Sequence, residues 1–241
     1  MLLVIIETSQ KDHLHKIFKA AQCAGWLPAD EGRSLYPKAS HVGFGLVCGA
    51  DAKPLLTRCA NVVRLVDLLD EAKNRSKAAL IERVELKAVG YGAVKYADLK
   101  NSRCSKYKFD FDQMLNDKGN TAVYLLYAHA RICSIMSKSG RNIEELKRTG
   151  EIVLDHVGER QLALHLLNFS EAVEESCTTL LPNVLTDYLY SLSEIFTKFY
   201  EDCKVVGSSQ ETSRLLLCEA TALVMRKSCF NLLGIEPVNK L

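Results

Sequence analysis

The sequence has little that would mark a secreted, zinc-binding or membrane protein. Its nine cysteines are odd in number and include no CxxC pair, which argues against a disulfide framework and a zinc site. The apolar opening MLLVIIE is shorter than a membrane span or a signal-peptide core, and no basic residues lead into it. Repeats and low-complexity tracts are also lacking. We therefore expect a cytoplasmic globular protein with reduced, mostly buried thiols and without a protein-bound metal.

A large excess of positive charge is lacking as well. The net charge of the 241 residues is +2, with 18 Lys/Arg against 12 Asp/Glu in residues 1–110 and 13 against 17 in residues 111–241. This balance argues against a protein that coats nucleic acid through many phosphate contacts, and we expect neither a DNA nor a membrane partner. The charge balance is compatible with a small surface that recognises a few unpaired bases.

The first hundred residues have the order of a parallel β-α-β unit. The apolar run Leu2–Ile6 predicts a buried strand, an amphipathic segment closed by Gly25 predicts a helix, and His41–Val47 predicts the second strand. Two more helices are predicted, one near residues 65–77 and one over residues 86–100 that Gly90 and Gly92 interrupt.

The sign of the net charge and the hydrophobic periodicity both change near residues 101–118. Beyond this segment the periodicity predicts only helices. The expected helices are Thr121–Ser137 with Thr121 or Asn120 as N-cap, Ile143–His156, one that begins near Pro182, and one from a Ser208/Glu211 capping box to Gly234. The expected fold class is therefore mainly α, a helical bundle preceded by a partial α/β unit.

The segment GNTAVYLLYAHARICSI, residues 119–135, is the most informative stretch. In a helix, Tyr124, Tyr127, Arg131 and Ser134 fall within an arc of about 80°. Two tyrosines and an arginine on an exposed face can stack on unpaired bases and reach phosphate. By helical geometry alone, a solvated amphipathic helix that binds nothing is the favoured interpretation.

This segment resembles the opening helix of the anticodon-binding domain of arginyl-tRNA synthetases, whose pattern is close to GNTxxYLxYAHxRI. The first residues, IIETSQKDHLHKIFKAAQCAGW, are similar to the strand and helix of that family that carry a D-x-x-Q-x-x-H core. The last residues, LLGIEPVNKL, resemble its LLGIxPVxxM ending. The resemblance covers essentially the whole chain, in the order of the back half of such an enzyme, and is nearest to the cytosolic eukaryotic form.

The resemblance implies two domains. Residues 1–105 correspond to the C-terminal part of the class I catalytic domain, of Rossmann type, with its signature loop and connecting helices. Residues 106–241 correspond to the DALR-type helical bundle that binds the anticodon. The HIGH-type motif of the family would stand in the other half of the catalytic domain, and the chain has no HxGH pattern. We therefore expect a truncated copy.

The resemblance also implies site residues. Gln10 matches the glutamine that helps to hold arginine. Thr57, Arg58 and Cys59 correspond to the signature loop that lies against the ATP phosphates and stabilises the charge that develops there. Arg58 is the expected phosphate contact, although an arginine in a solvated loop is the alternative. The positions that match the anticodon side are Tyr124, Tyr127, Arg131, Ser134 and Tyr200, while Lys204 stands where many members have an aromatic residue.

Two further motifs are expected to be structural. Met136–Ser139 spells MSKS, which is nearly the class I signature, but it falls at the end of a predicted bundle helix and not in a loop after a strand. His129 falls on the apolar side of the same helix, where a hydrogen-bonded core histidine is expected. His13 and His15 lack a third ligand at metal spacing, so zinc is not expected.

Three functions remain open from the sequence. The first is an arginine–tRNA ligase that uses ATP, with Mg as its counter-ion, and whose partners are arginine, ATP and tRNA-Arg. The second is a non-catalytic module that binds the tRNA anticodon. The third is a helical interaction protein that binds no RNA, which helix periodicity cannot distinguish from the second.

Overall fold

The computed structural model describes residues 2–28, 39–49, 54, 64–79 and 86–239. They divide into two compact units, Met1–Val62 with Asn101–Phe109, and Val63–Lys100 with Asp110–Leu241. The mainly helical fold with a small α/β part is the one that the sequence predicts. The domain limits 1–105 and 106–241 rest on the family resemblance and stay a prediction.

The first unit is built around a parallel strand pair. Strand β1 (Leu2–Glu7) is followed by a 3-10 turn (Thr8–Gln10), helix α1 (Lys11–Cys23) and strand β2 (Ala39–Phe44). The two strands run parallel, from Leu2 opposite Ala39 to Glu7 opposite Phe44. The predicted β-α-β order is therefore confirmed. A second short pair joins β3 (Val47–Cys48) to β4 (Tyr107–Lys108), also in parallel.

The second predicted strand is divided at Gly45. Its backbone N–H donates to the carbonyl of Arg103 over 2.8 Å. A Cβ at position 45 would lie 2.0 Å from the carbonyl oxygen of Ser105. Only a residue without a side chain allows this close approach of two backbones, which interrupts the strand between Phe44 and Val47.

The expectation that β1 is a buried strand is wrong for this chain. Ile5 is 67% exposed, and Leu3 and Ile6 are exposed as well. Among the described residues, β1 pairs with β2 alone, and α1 leaves every one of its side chains at least partly accessible. Trp26, just past α1, is 75% exposed. The apolar run of a central strand is present, but among the described residues little packs against it.

The second unit consists of helices within its described residues. They are α2 (Leu65–Ala79), α3 (Leu86–Leu99), α4 (Phe111–Met114), α5 (Ala122–Ser139), α6 (Ile143–Thr149), α7 (Val157–Leu167), α8 (Phe169–Thr179), α9 (Asn183–Asp202), α10 (Glu211–Leu223), a π-helical stretch (Val224–Phe230) and α11 (Asn231–Leu233). The N-cap expected for α5 is confirmed, because the hydroxyl of Thr121 accepts from the backbone N–H of Tyr124 over 3.2 Å.

The predicted helix Ile143–His156 is wrong at its end. Helix α6 stops before Gly150, whose extended backbone begins a connection, and His156 starts the next helix instead. The ring of His156 accepts from the backbone N–H of Gly158, while the carboxylate of Glu159 accepts from the backbone N–H of His156. This reciprocal capping box has a histidine where Ser or Thr is usual, so the sequence pattern did not reveal it.

The last helix begins and bends differently from the prediction. Gln210 is its N-cap, the Ser208 hydroxyl donates to the carbonyl of Val205, and the Glu211 carboxylate accepts from the backbone N–H of Gly207. The predicted Ser208/Glu211 capping box is therefore wrong. The helix also widens into the π-helical stretch before it ends, as predicted, at Gly234 in the left-handed conformation.

The core of the second unit lies where α5, α9 and α10 meet. Helix α9 points its apolar stripe inward as its periodicity predicts, and α10 is buried over most of its surface. The largest fully buried side chains include Tyr96, Leu125, Leu126, Ile132, Leu189, Leu192, Phe196, Phe199, Leu215 and Met225. This core holds α5 and α9 side by side and so sets the positions of their exposed residues.

Helix α3 is continuous, which contradicts the predicted interruption at Gly90 and Gly92. A Cβ at Gly90 would lie 2.6 Å from the backbone N and Cα of Lys73 on α2. The glycine therefore permits a close crossing of the two helices and does not break one of them.

Gly90→Ala should destabilise the protein. The methyl group meets rigid backbone atoms, and overpacking of this kind costs about 1–3 kcal/mol, which exceeds the roughly 1 kcal/mol that alanine gains over glycine inside a helix. Urea unfolding followed by circular dichroism measures the change. Gly92→Ala is the matched control, because its Cβ meets only side chains, with Ile235 at 3.1 Å. Equal stability of the two variants would contradict the close crossing as the reason for Gly90.

The cysteines are less buried than expected. Of those that the structure describes, Cys48, Cys203 and Cys218 are buried, Cys133 is half-buried, and Cys23, Cys104 and Cys177 are exposed. Burial raises the pKa of the Cys218 thiol to about 12, so this residue acts as a small apolar side chain.

None of the helices in the described part of the chain combines the length and the hydropathy of a membrane span.

Candidate nucleic-acid interface

Four side chains of α5 lie together on one side of the helix. Tyr127 is 48% exposed, Ser134 is exposed, and Tyr124 and Arg131 are half-buried. On the other side Leu125, Leu126 and Ile132 are completely buried. The sequence predicts this division, and we call the four residues the tyrosine face.

Arg131 and Tyr127 contact each other on this face. The guanidinium carbon of Arg131 lies 4.8 Å from the centre of the Tyr127 ring, in a cation–π arrangement one helical turn apart. The contact restricts both side chains before any ligand binds. It presents an aromatic surface next to a cation, the combination that binds single-stranded nucleic acid by stacking and by phosphate contact.

Tyr124 packs against a residue that the sequence analysis missed. The ring of Tyr190 on α9 lies 5.8 Å from the ring of Tyr124, tilted by 55°. A hydrogen bond with Glu194, one turn further along α9, is the main cause that raises the pKa of Tyr190. The i, i+4 spacing of Tyr190 and Glu194 is visible in the sequence. The pairing of α5 with α9 is not, because it depends on the tertiary packing.

Tyr200 extends the aromatic surface at the end of α9. It is 39% exposed, and its ring stacks on the buried ring of Phe196, with centroids 6.3 Å apart and planes 10° from parallel. The stacking on a core residue fixes the ring. By family resemblance, Tyr200 belongs to the same surface as the α5 residues, and in the structure it lies on a helix that packs directly against α5.

A cleft opens beside Tyr200, between the last turns of α5 and α9. Its volume is about 490 Å³, and its lining residues are Ile135, Lys138, Tyr200, Glu201, Lys204, Val205 and Val206. We call it the Tyr200 cleft. Lys138 is the lysine of the MSKS string, which ends helix α5 as predicted.

A buried ion pair holds the chain that forms one wall of this cleft. The side chain of Arg214 donates to the Glu159 carboxylate over 2.7 Å, and Glu159 is 0% exposed. A second N–H group of Arg214 donates to the backbone carbonyl of Lys204, also over 2.7 Å. Nearby, the Cys203 sulfur lies 3.2 Å from Nδ1 of His156. These contacts fix the backbone at residues 203 and 204.

In the first unit, Gln10 lies at the end of the 3-10 turn that follows β1, and it is exposed. The hydroxyl of Thr8 in the same turn donates to the carbonyl of Phe44 over 3.0 Å, which joins the carboxyl ends of the two parallel strands. Ligands of open parallel sheets bind at this edge. The other expected catalytic residues, Thr57, Arg58 and Cys59, lie outside the described residues.

His129 has the structural role that the sequence predicts. It is completely buried, and its Nδ1 donates to the carbonyl of Val238 over 2.9 Å. Burial is the main cause that lowers its pKa, so the ring is neutral near pH 7. Across the described ranges, no three His, Cys, Asp or Glu side chains come together as ligands for a metal ion.

Comparison with known protein families matches both parts of the chain. Residues 1–111 match the family described as tRNA synthetases class I (R), catalytic domain, and residues 125–241 match the DALR anticodon binding domain. The two matches follow each other along the chain in the order that the sequence resemblance implies.

Individual relatives give the same result. A cytoplasmic arginine–tRNA ligase of Arabidopsis thaliana is 65% identical over 252 residues, and a chloroplastic/mitochondrial one of the same plant is 63% identical. Both alignments cover 100% of this chain, and 42% and 39% of the relatives. The crystal structure of arginyl-tRNA synthetase from Plasmodium falciparum is 36% identical, with a TM-score of 0.82 over 99% of this chain and 41% of that one. The chain thus spans about two fifths of the length of these relatives.

Proposed function

The chain belongs to the arginyl-tRNA synthetase family, and on that premise we propose that it serves the ATP-dependent attachment of arginine to tRNA-Arg in the cytoplasm. Its partners would be arginine, ATP with Mg as counter-ion, and the tRNA. The helical unit would bind the anticodon loop, and the α/β unit would form part of the site for arginine and ATP.

The observation that carries the RNA-binding part is the contact between Arg131 and Tyr127 on an exposed face of α5. A ring that is half-exposed and already paired with a cation can accept a base on its free surface, while the guanidinium reaches a phosphate or a base edge. Tyr124, Ser134 and Tyr200 would enlarge this surface on both sides. The bases that can stack there must be unpaired, as those of an anticodon loop are.

The catalytic part rests on fewer described residues. Gln10 at the carboxyl end of β1 would contact arginine, and Thr57, Arg58 and Cys59 would approach the ATP phosphates. The position of Gln10 supports its proposed role in arginine binding. The proposed role of the other three residues in ATP binding rests on their correspondence with the signature loop.

A gel-shift titration tests the RNA-binding proposal. Purified protein of residues 1–241 is titrated into a tRNA-Arg transcript and into the same transcript with two anticodon bases exchanged. We expect the altered transcript to bind more weakly, because each base contact that is lost costs about 1–3 kcal/mol. Equal affinity for the two transcripts would contradict recognition of the anticodon.

Residues 1–241 by themselves should not arginylate tRNA. The 241 residues contain no HxGH pattern, and adenylate formation in the family depends on the HIGH-type motif. The measurement is incorporation of radioactive arginine into total tRNA in the presence of ATP and Mg. Turnover well above that of a protein-free reaction would contradict this expectation.

A second function is favoured by the contrast between the two units. The helical unit has a large buried core, whereas β1 and α1 leave apolar side chains in solvent. A chain of this kind can bind tRNA without catalysing its charging. Tight, anticodon-dependent binding together with no arginylation would support this non-catalytic module.

A further inference from the structure

We propose that the outer sides of α7 and α8 bind a basic amphipathic helix of another protein, with its apolar stripe on α7 and its cations against α8. This surface, which we call the α7–α8 face, consists of Val157, Leu164, Leu167, Glu171, Glu174 and Glu175. The inference goes beyond RNA binding and concerns a part of the helical unit to which the proposed function assigns no role.

The apolar part of the face is an exposed stripe on α7. Leu164 and Leu167 are 63% and 74% exposed, and Val157 is exposed as well. At about 100° per residue the three fall within an arc of about 80°, and Leu164 lies about 160° from the completely buried Leu162. Large apolar side chains that gather on the outer side of a helix are typical of an interaction surface.

The acidic part of the face lies on α8. The ring of Phe169 at the start of this helix packs inward, 5.6 Å from the ring of Tyr188 on α9. Glu171, Glu174 and Glu175 fall on the opposite side of α8, within an arc of about 100°. All three are exposed, and none forms an ion pair with another described residue. Their carboxylates are therefore accessible to cations of a partner.

The two parts of the face are adjacent. Only Asn168 separates α7 from α8, and both helices pack against α9. At the junction they share one residue of α9, because the ring of His165 stacks on Tyr188 with centroids 4.6 Å apart and Phe169 packs on the same ring. The apolar stripe and the carboxylates thus lie on the free sides of two consecutive helices that rest on the same support.

The charge of this region selects the kind of partner. Residues 149–197 contain eight Asp/Glu and a single Lys/Arg, Arg160, which gives a net charge of −7 in a chain whose total is +2. The guanidinium of Arg160 donates to the backbone carbonyls of Leu154 and Asp155. Such a surface repels RNA and anionic lipid, and a second copy would bring two surfaces of the same sign together. The complementary partner is positively charged.

A basic amphipathic helix complements both parts of the face. Its apolar residues, repeated at helical spacing, can cover Leu164 and Leu167, while Lys or Arg beside them reach the carboxylates of α8. Burial of the apolar stripe favours binding, and the charges favour rapid association and exclude acidic partners. Helix α7 has 11 residues and is about 16 Å long, so a partner helix of four to five turns would cover α7 and the start of α8.

Three synthetic peptides test the face by fluorescence anisotropy with the protein of residues 1–241. The first has about 18 residues, with leucine at helical spacing on one side and lysine elsewhere. The second has the same composition with its leucines spread around the helix, and the third has glutamate in place of lysine. We expect the first peptide to bind, and the other two to bind about tenfold more weakly or less.

A double variant locates the apolar contact. Leu164→Gln with Leu167→Gln removes the stripe and keeps good helix formers. Its matched control is Leu65→Gln with Leu232→Gln, two leucines of similar exposure on α2 and α11. The first peptide should bind the stripe variant about tenfold more weakly than the wild type, and the control variant as tightly. A diazirine-bearing leucine in this peptide should crosslink to residues 157–179.

A triple variant tests the carboxylates. It combines Glu171→Gln, Glu174→Gln and Glu175→Gln. Its matched control removes three exposed carboxylates elsewhere in the helical unit, as Asp117→Asn, Glu145→Gln and Glu236→Gln. Binding of the first peptide to the wild type should weaken as salt rises, because salt screens exposed charges. The triple variant should lose most of this salt dependence, and its control should keep it.

The outcomes separate this inference from the proposed function. The docking proposal is wrong if the spread-leucine or the glutamate peptide binds as tightly as the first, or if the stripe variant binds like its control. Vesicles of phosphatidylcholine and phosphatidylserine that bind the wild type but not the stripe variant would also overturn it, as would a dimer that this variant dissociates in analytical ultracentrifugation. In gel shifts with the tRNA-Arg transcript, both variants should bind as the wild type does. A wild-type chain that binds the peptide but no tRNA would contradict the RNA-binding proposal and support this one.

Discussion

Arg214→Met should destabilise the protein by about 3–5 kcal/mol, which is the largest effect that we expect of a single substitution. The variant leaves the Glu159 carboxylate, 0% exposed, without its cation, and an unpaired buried charge costs that much. It also removes the donor to the carbonyl of Lys204. Urea unfolding monitored by circular dichroism gives the difference at pH 7.

A second substitution should restore much of this loss. Arg214→Met with Glu159→Gln removes the buried charge, while the glutamine oxygen can still accept from the backbone N–H of His156 and so keep the helix cap. Removal of both charges of a buried ion pair destabilises much less than removal of one charge, which leaves the other unpaired. If the double variant is as unstable as Arg214→Met alone, loss of packing and not the buried charge explains the effect.

The pH dependence of the variant has a defined sign. Burial tends to raise the pKa of Glu159, but the hydrogen bond from the His156 backbone, the hydrogen bond from Arg214 and its charge outweigh this, so the pKa lies below its ordinary value of 4.5. A lowered folded-state pKa gives stability that is present above the unfolded value and lost as the pH falls through the folded one. Without Arg214, burial raises the pKa of Glu159. Protonation of Glu159 then removes the unpaired buried charge and stabilises the variant. The stability difference should therefore shrink as the pH falls from 7 towards about 4.

Local signals in the sequence predict the parts of the fold that local interactions determine. Helix α5 starts directly after its N-cap Thr121 and ends before Gly140, because the Thr121 hydroxyl caps the first turn and Gly140 adopts the left-handed conformation. The buried stripe of α9 is predicted in the same way by a local signal, because its apolar residues recur at helical spacing. Where the capping group is unusual, as with His156 before α7, the prediction extends the preceding helix too far.

Features that depend on tertiary packing are not predicted by the sequence. Gly90 looks like a helix breaker and proves to be a crossing point, because the backbone of Lys73 lies against it. The run Leu2–Ile6 has the composition of a central strand, and its burial would need neighbouring structure on both faces. Tyr190 joins Tyr124 only through the packing of α9 on α5. The tyrosine face was predictable because its four members lie on one helix, whereas the Tyr200 cleft needs two.

Tyr127→Ala and Arg131→Ala should each weaken binding of the tRNA-Arg transcript by about 1–3 kcal/mol, or roughly 5–150-fold, if the tyrosine face binds RNA as proposed. The two residues contact each other over 4.8 Å, so their effects should not add. The double variant should lose less than the sum, because each single variant already disturbs the arrangement of the other side chain.

Conservative variants distinguish base stacking on the Tyr127 ring from a mere loss of contact area. Tyr127→Phe keeps the ring and should bind almost as the wild type does, whereas Tyr127→Leu keeps apolar area without a π face and should resemble Tyr127→Ala. Arg131→Lys keeps the charge but loses the planar guanidinium, and it should fall between wild type and Arg131→Ala. Arg148→Ala, at an exposed arginine of α6, controls for the removal of one positive charge. If Arg148→Ala weakens binding as much as Arg131→Ala, general electrostatic attraction and not the tyrosine face holds the RNA.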